Sequence, residues 1–248
     1  TYTHQAALEY FEDLEPVFCD SIREVFESDI SVKFVPIENS LGGGVSDTLD
    51  MLRQKDVTIT GEKTLPIDHN VVSREESLED VEEVRSHPQA LAQSKEYIAE
   101  NDWNTSEAPS TASAAKKVGE AQAALASSIT AELYDLNVLD EGVQDVETNE
   151  TRFFVLNSDE EGGEKSALIL DPDDDRPGLL SNMLACLSGH GINLSNIQSR
   201  PQKTELGEYY FYIEAEKNLE SEPMQKALQC LRTYCKVEEL GSYGGKDA

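Results

Sequence analysis

The run Asp159-Glu160-Glu161-Gly162-Gly163-Glu164 holds no apolar residue and separates two patterned stretches of the chain. A polar, glycine-containing break of this kind reads as a linker. Residues 1–158 and 165–248 are therefore expected to form separate domains. After the break, strands are expected at Ser166–Leu170, Ile192–Ile197, Tyr209–Glu216 and near Val237–Leu240, with helices at Pro177–Ser188 and Glu222–Tyr234. Their order is βαββαβ, the ferredoxin-like arrangement.

The longer stretch before the break mixes the two periods, which argues an α/β domain. Residues 5–27 read as helix, with Ala6, Ala7, Tyr10, Phe11 and Leu14 on one face and Pro16 starting a second piece. Ile30–Pro36 alternates as a strand through Ile30, Val32 and Phe34. Asp47–Gln54 reads as a helix with Leu49 and Leu52 inward, and Val57–Pro66 and Asn70–Val72 read as strands. His87–Glu100 and the alanine-rich Ser110–Leu133 read as helices, the second with Ser110 or Thr111 as its N-cap. Thr151–Leu156 closes the domain as a strand.

Charge narrows the partners. The 248 residues carry 49 acidic against 20 basic side chains, a net charge of -29. Such a surface repels nucleic acid and anionic lipid. It also repels itself, and only in roughly 1 M salt, where the Debye length falls to about 3 Å, is that repulsion screened. The composition thus reads as adapted to high salt. Asp171-Pro172-Asp173-Asp174-Asp175 has Arg176 where a calcium loop needs glycine and Asn182 where it needs an acid, so it reads as a solvated acidic loop. No segment reaches the roughly 18 apolar residues of a membrane span. The N-terminus shows no signal peptide, and a cytoplasmic protein is expected. Cys19, Cys186, Cys230 and Cys235 lack CxxC spacing and read as reduced, buried hydrophobes, with no metal site.

Three polar clusters sit at element boundaries. Pro36-Ile37-Glu38-Asn39-Ser40 leads from a core strand into Gly42-Gly43-Gly44-Val45, either a ligand-approach loop or a plain glycine turn. Ser110-Thr111-Ala112 opens a helix, where free N–H groups favour an anion. Asn149-Glu150-Thr151-Arg152-Phe153 enters a core strand. Arg152 there meets either a ligand, through a carboxylate or phosphate, or a structural acid. His4 and His87 read as helix-start hydrogen bonders, and Trp103 as packing.

Taken in order, these motifs resemble those of the prephenate dehydratases. Thr1-Tyr2-Thr3-His4-Gln5-Ala6-Ala7 is similar to the end of the family's G-T-Y-[ST]-H-Q-A-A motif. Pro36–Ser40 with Gly44-Val45, Thr48, Asp50 and Leu52 is similar to P-[IV]-E-N-S…G-x-V…T-x-D-x-L. His87-Pro88-Gln89-Ala90-Leu91, Ser110-Thr111-Ala112 and Asn149-x-Thr151-Arg152-Phe153 follow in family order. The βαββαβ segment resembles an ACT domain, with Pro177-Gly178-Leu179-Leu180 opening its first helix. Asn193 and then Gln198-Ser199-Arg200-Pro201 follow, with Gln198 where the family has glutamate.

The resemblance implies a two-lobed catalytic domain similar to periplasmic binding proteins. One lobe would be built from about 1–70 plus 145–158 and the other from 71–144, followed by the ACT domain at 165–248. It implies conversion of prephenate to phenylpyruvate without metal or cofactor. Thr151, Arg152 and Phe153 would carry the catalytic motif, and Thr3, Asn39, Ser40, Gly44, Ser110, Thr111 and Ala112 would line the substrate site. Phenylalanine would bind at Pro177–Leu180, Asn193 and Gln198–Pro201, between ACT domains of a homodimer or homotetramer. The family's first strand precedes its threonine, so that strand is expected to lie outside this chain. Arogenate as substrate, or a non-catalytic amino-acid sensor, are the competing readings.

Overall fold

The computed structural model describes every residue except Leu14, Glu147, Glu160, Glu161, Asp175, residues 203–208 and residues 246–248. In chain order the elements begin with α1 (Tyr2–Tyr10), α2 (Ile22–Glu27), β1 (Lys33–Asn39), β2 (Gly43–Gly44), α3 (Ser46–Gln54), β3 (Ile59–Pro66) and β4 (Asn70–Ser73). Next come β5 (Glu83–Ser86), α4 (Pro88–Gln93), α5 (Lys95–Glu100), β6 (Asn104–Glu107), α6 (Thr111–Lys116), β7 (Gln122–Ala126), α7 (Ser128–Tyr134), β8 (Asn137–Asp140) and β9 (Glu150–Leu156). The last are β10 (Lys165–Asp171), α8 (Leu179–Ser188), β11 (Leu194–Pro201), β12 (Tyr209–Ala215), α9 (Glu222–Leu231) and β13 (Lys236–Tyr243). They fall into two compact units. One comprises Thr1–Pro16, Glu38–Gly43 and Thr64–Thr151; the other comprises Val17–Ile37, Gly44–Lys63 and Arg152–Ala248.

The first unit is built on a five-stranded sheet in the order β6-β5-β7-β4-β8. Its central strand β7 pairs parallel with β5 and antiparallel with β4. Strand alternation sends Val71, Ala123 and Leu125 to one face, with Val84, Ile98 and Trp103, and sends Val72, Ala124 and Ala126 to the other, with Ala114, Ala115 and Ala131. The helix expected over Ser110–Leu133 is therefore wrong. Its middle is β7, and only α6 and α7 at its ends are helical. Alanine favours helix in isolation, but Ala123–Ala126 are 0% exposed and buried on both faces, which overrides propensity.

Other expectations shift for similar reasons. The helix expected over 5–27 ends at Tyr10, and the next starts only at Ile22, where the Ser21 side chain accepts the Glu24 N–H at 3.2 Å. Val17 and Phe18 between them are exposed, so no buried stripe holds that segment helical; Leu14 lies outside the described residues. Strand β1 begins at Lys33, and Val35 and Ile37 are its core residues. Reading the alternation through Ile30, Val32 and Phe34 put the wrong phase inward, a one-residue slip that exchanges the two faces. The helix expected over His87–Glu100 is two helices that meet at Ser94.

The second unit holds a four-stranded sheet in the order β2-β1-β9-β3 and another in the order β11-β12-β10-β13. The element order from β10 to β13 is βαββαβ, as expected. Leu168 and Leu170 of β10 pack under α8 and α9 with Met183, Leu187, Met224 and Leu228. The alternate residues Ala167 and Ile169 join Val35, Ile37, Leu49, Leu52, Phe154 and Leu156 in one core. Leu49 and Leu52 thus face inward as read.

The polar break is partly packed. The Gly163 carbonyl accepts Asn218 Nδ2 at 2.7 Å, and a Cβ on Gly163 would lie 1.9 Å from the Tyr243 carbonyl carbon; Glu160 and Glu161 are not described. Gly163→Ala is therefore expected to destabilise the protein by roughly 1–3 kcal/mol through overpacking, read as a lowered Tm. Two cysteines also depart from the reading. Cys186 on α8 and Cys230 on α9, 44 residues apart, form a disulfide, brought together by helix packing that their spacing did not reveal. Cys19 and Cys235 are free, and burial, with Asp171 and Asp173, pushes the Cys235 thiol up to about 11. Among the described residues no helix is long and apolar enough to cross a membrane.

Candidate active site

At the end of β1 the Asn39 side chain bends the backbone. Its Oδ1 accepts the N–H of Leu41 at 3.2 Å and of Gly42 at 2.8 Å, an Asx turn. A Cβ on Gly42 would lie 2.9 Å from Gln89 Nε2, so glycine lets the Gln89 amide reach Asn39 Oδ1 at 3.2 Å. The other end of the Asn39 amide faces the start of β9. Asn39 Nδ2 donates to Asn149 Oδ1 at 2.8 Å, to the Glu150 carbonyl at 3.0 Å and to Thr151 Oγ1 at 3.0 Å. Ser40 ties the same two segments: its N–H donates to the Glu150 carbonyl, its hydroxyl donates to the Thr148 carbonyl, and Glu150 N–H donates back to it.

Behind this contact runs a buried polar chain that sequence reasoning missed. Asn149, 1% exposed, donates through Nδ2 to Gln93 Oε1 at 3.1 Å. His69, 2% exposed, lies with Nε2 2.9 Å from that same Gln93 oxygen and with Nδ1 2.7 Å from the Tyr2 hydroxyl. The Tyr2 hydroxyl is also 2.9 Å from the Asp68 carbonyl oxygen. Burial lowers the His69 pKa, opposed by the Gln93 contact and Asp68. Burial and Asp68 raise that of Tyr2 well above its usual range. Both side chains are accordingly neutral near pH 7. Tyr2 and Asn149 lie in motifs read from the sequence, but Gln93 at the end of α4 and His69 in the lead into β4 lie in none, so the chain that joins them was not legible.

Arg152 and Phe153 turn to other partners. Successive strand residues face opposite sides of a sheet, so Thr151 and Arg152 diverge. The Arg152 guanidinium grips Glu214 of β12 at 2.6 and 2.7 Å and reaches Glu62 at 3.3 Å. Glu214 also accepts Tyr243 O–H at 2.6 Å, and Lys165 pairs with Glu62 at 2.6 Å. Of the two partners the sequence allowed Arg152, the structural acids are the ones it meets here. Phe153 is buried and stacks on Phe34, ring centroids 5.3 Å apart.

The remaining expected residues sit as follows. The Ser110 hydroxyl accepts Ser113 N–H at 3.0 Å and caps α6, with Thr111 and Ala112 in its first turn; Thr3 lies on α1. His87 Nδ1 accepts Gln89 N–H, the helix-start role read for it. Gly44 packs against the Gln198 amide, and Arg200 donates to Ser46 Oγ at 2.9 Å and pairs with Asp50 at 3.0 Å. Asn193 donates to Glu216 at 2.7 Å. Pro177, Gly178, Leu179 and Leu180 line an open cavity of about 940 Å³ with Tyr209 and Phe211, and Gln198 and Arg200 are not part of that lining.

The fold and this cluster define an α/β protein whose candidate centre is a chain of neutral hydrogen-bonding side chains that reaches the Thr151 hydroxyl through Asn39. The chain belongs to the prephenate dehydratase family: the family model "Prephenate dehydratase" matches residues 1–161. It is 37% identical over 260 residues to the prephenate dehydratase of Methanocaldococcus jannaschii, covering 98% of this chain and 94% of that one. Its structure is similar to that of prephenate dehydratase in complex with L-Phe from Arthrobacter aurescens, with a TM-score of 0.88 and 28% identity, covering 98% and 86% of the two chains. It is also similar to GqqA, described as a novel type of quorum quenching acylase, with a TM-score of 0.89 and 26% identity, covering 99% and 95%.

Proposed function

We propose that this chain converts prephenate to phenylpyruvate, water and carbon dioxide. The ring carboxylate leaves as carbon dioxide, its bonding electrons make the ring aromatic, and the C–O bond at the opposite ring carbon breaks. The departing hydroxide becomes water with one proton from solution. The observation that carries the reading is the Thr151 hydroxyl. Asn39 occupies it as a donor, which leaves the Thr151 O–H to donate a hydrogen bond to the leaving oxygen. Asn39, Ser40 and Gly44, with Thr3, Ser110, Thr111 and Ala112, supply the polar lining that the family resemblance implies. Arg152 is held by Glu214 and Phe153 packs on Phe34, and both anchor β9.

Residues 165–248 act as an ACT-type sensor of phenylalanine. The βαββαβ order, the cavity at Pro177–Leu180 and the L-Phe complex of the Arthrobacter relative support this. The two sensing motifs do not share that cavity, and β11 is an edge strand. Both facts suit a site completed by a second subunit across paired sheet edges, in a homodimer or homotetramer. The acidic surface suits work in concentrated salt in the cytoplasm.

The test is phenylpyruvate formation from prephenate in roughly 1 M salt, where surface repulsion is screened, with and without L-phenylalanine. Turnover that phenylalanine changes is expected. Folded protein that binds phenylalanine and leaves prephenate intact would make it a sensor without chemistry.

A further inference from the structure

The hydrogen bonds between Gly42 and His69 take their direction from the Asn39 end, which is fixed by backbone. The N–H groups of Leu41 and Gly42 can only donate, so the atom of Asn39 facing them is its oxygen. Its nitrogen therefore faces Asn149, which must present Oδ1 to it and Nδ2 to Gln93. Gln93 then offers Oε1 to both Asn149 and His69, and an oxygen acceptor needs a donor opposite it. A neutral imidazole has one donor and one acceptor. His69 must therefore carry its proton on Nε2, leaving Nδ1 to accept the Tyr2 O–H at 2.7 Å, a proton for which the Asp68 carbonyl, 2.9 Å from the same hydroxyl, competes.

From this polarity we infer that His69 is a positioning residue for the Thr151 reaction, acting as the Nε2–H tautomer through Gln93, Asn149 and Asn39. The inference rests on the reading of Thr151 as the donor. It assigns His69 no contact with substrate and no proton transfer. Its part is to hold Gln93 Oε1 so that the Asn149 amide cannot turn over. A turned Asn149 would set its nitrogen against Asn39 Nδ2, and the Asn39 amide would lose the orientation that aims it at Thr151. Nearly complete burial makes such a mismatch costly, since an unmatched buried polar group costs about 1–3 kcal/mol. The arrangement is also pre-formed, because Gly42 fixes it from the far end.

The test is made on the full chain and begins with wild-type turnover of prephenate. His69→Leu is expected to lower kcat by about 10- to 100-fold, the scale of a small misplacement at a reacting group, with KM little changed. His69→Gln puts an amide N–H near the position of Nε2 and is expected to recover most of the loss. Tyr2→Phe, which keeps the ring packing, is expected to give a smaller loss in kcat. Imidazole ¹⁵N shifts are read alongside, with the His69 signal among the four histidines assigned by its absence in His69→Gln. A neutral Nε2–H tautomer near pH 7 is expected. An Nδ1–H tautomer or a charged ring overturns the inference, as does folded His69→Leu with wild-type kcat. Wild-type protein without turnover sinks the dehydratase reading instead, and the ¹⁵N result still judges the direction of the chain.

Discussion

Thr151→Val is expected to lower kcat for phenylpyruvate formation by about 10²–10³-fold, the usual loss when one donor to developing charge is removed. Valine keeps the β-branched shape and suits the strand, so the change is confined to the hydroxyl. Asn39 loses one of three acceptors for its two amide protons and keeps Asn149 Oδ1 and the Glu150 carbonyl. No buried donor is orphaned, and the stability change stays within about 1 kcal/mol. The loss should fall on kcat more than on KM, because the bond to the leaving oxygen strengthens as negative charge builds there. Thr151→Ser retains the hydroxyl and should retain most of the rate. Unchanged kcat in folded Thr151→Val, measured beside its thermal unfolding curve, would remove Thr151 from the chemistry.

Motifs with a local cause were legible in the sequence. Asn39 before three glycines is an Asx turn waiting for its backbone donors, and Ser110 is a cap three residues before the N–H it accepts. The βαββαβ order after the break was legible because α8 and α9 carry a helical period and β10 and β12 are short, largely apolar runs between polar segments. Neutral contacts between distant residues were not legible. Asn39 and Thr151 lie 112 residues apart, and neither Asp68-His69-Asn70 nor Gln93-Ser94 has a spacing that points to the partner it meets in the fold. Burial on both faces hid β7, since a strand of small apolar residues carries no period and its alanines imitate a helix. The same limit hid the partner of Arg152. A carboxylate 62 residues downstream, on a strand whose neighbours are Ile213 and Ala215, gives no sign in sequence that it points at β9.

That partner makes Arg152→Ala the most destabilising substitution expected here, at about 3–5 kcal/mol, the cost of breaking a buried ion pair from one side. The Glu214 side chain is 1% exposed and that of Arg152 17%, so solvent cannot replace the lost guanidinium. Burial pushes the Glu214 pKa up, but the hydrogen bonds and charge of Arg152, with Tyr243, more than offset it, and the carboxyl lies below its ordinary value. Its contribution to stability is therefore complete above the unfolded carboxylate pKa of about 4.3 and is lost as pH falls through the lower folded value. Without Arg152 the sign reverses. Burial, the largest influence on this carboxyl, then outweighs the hydrogen bonds that Tyr243 and Asn196 still donate, and is expected to raise the Glu214 pKa above its unfolded value. Arg152→Ala should therefore gain stability as pH falls from 7 toward about 4.3, where the wild-type pair still gains nothing from acid. Urea unfolding at several pH values reads both slopes. Glu214→Gln completes the argument, because it removes the buried charge while keeping the shape. Combined with Arg152→Ala it should recover much of the lost stability and flatten the pH dependence. Arg152→Ala that is folded and as stable as wild type, with only KM raised, would instead mean that the guanidinium leaves Glu214 to hold a substrate carboxylate.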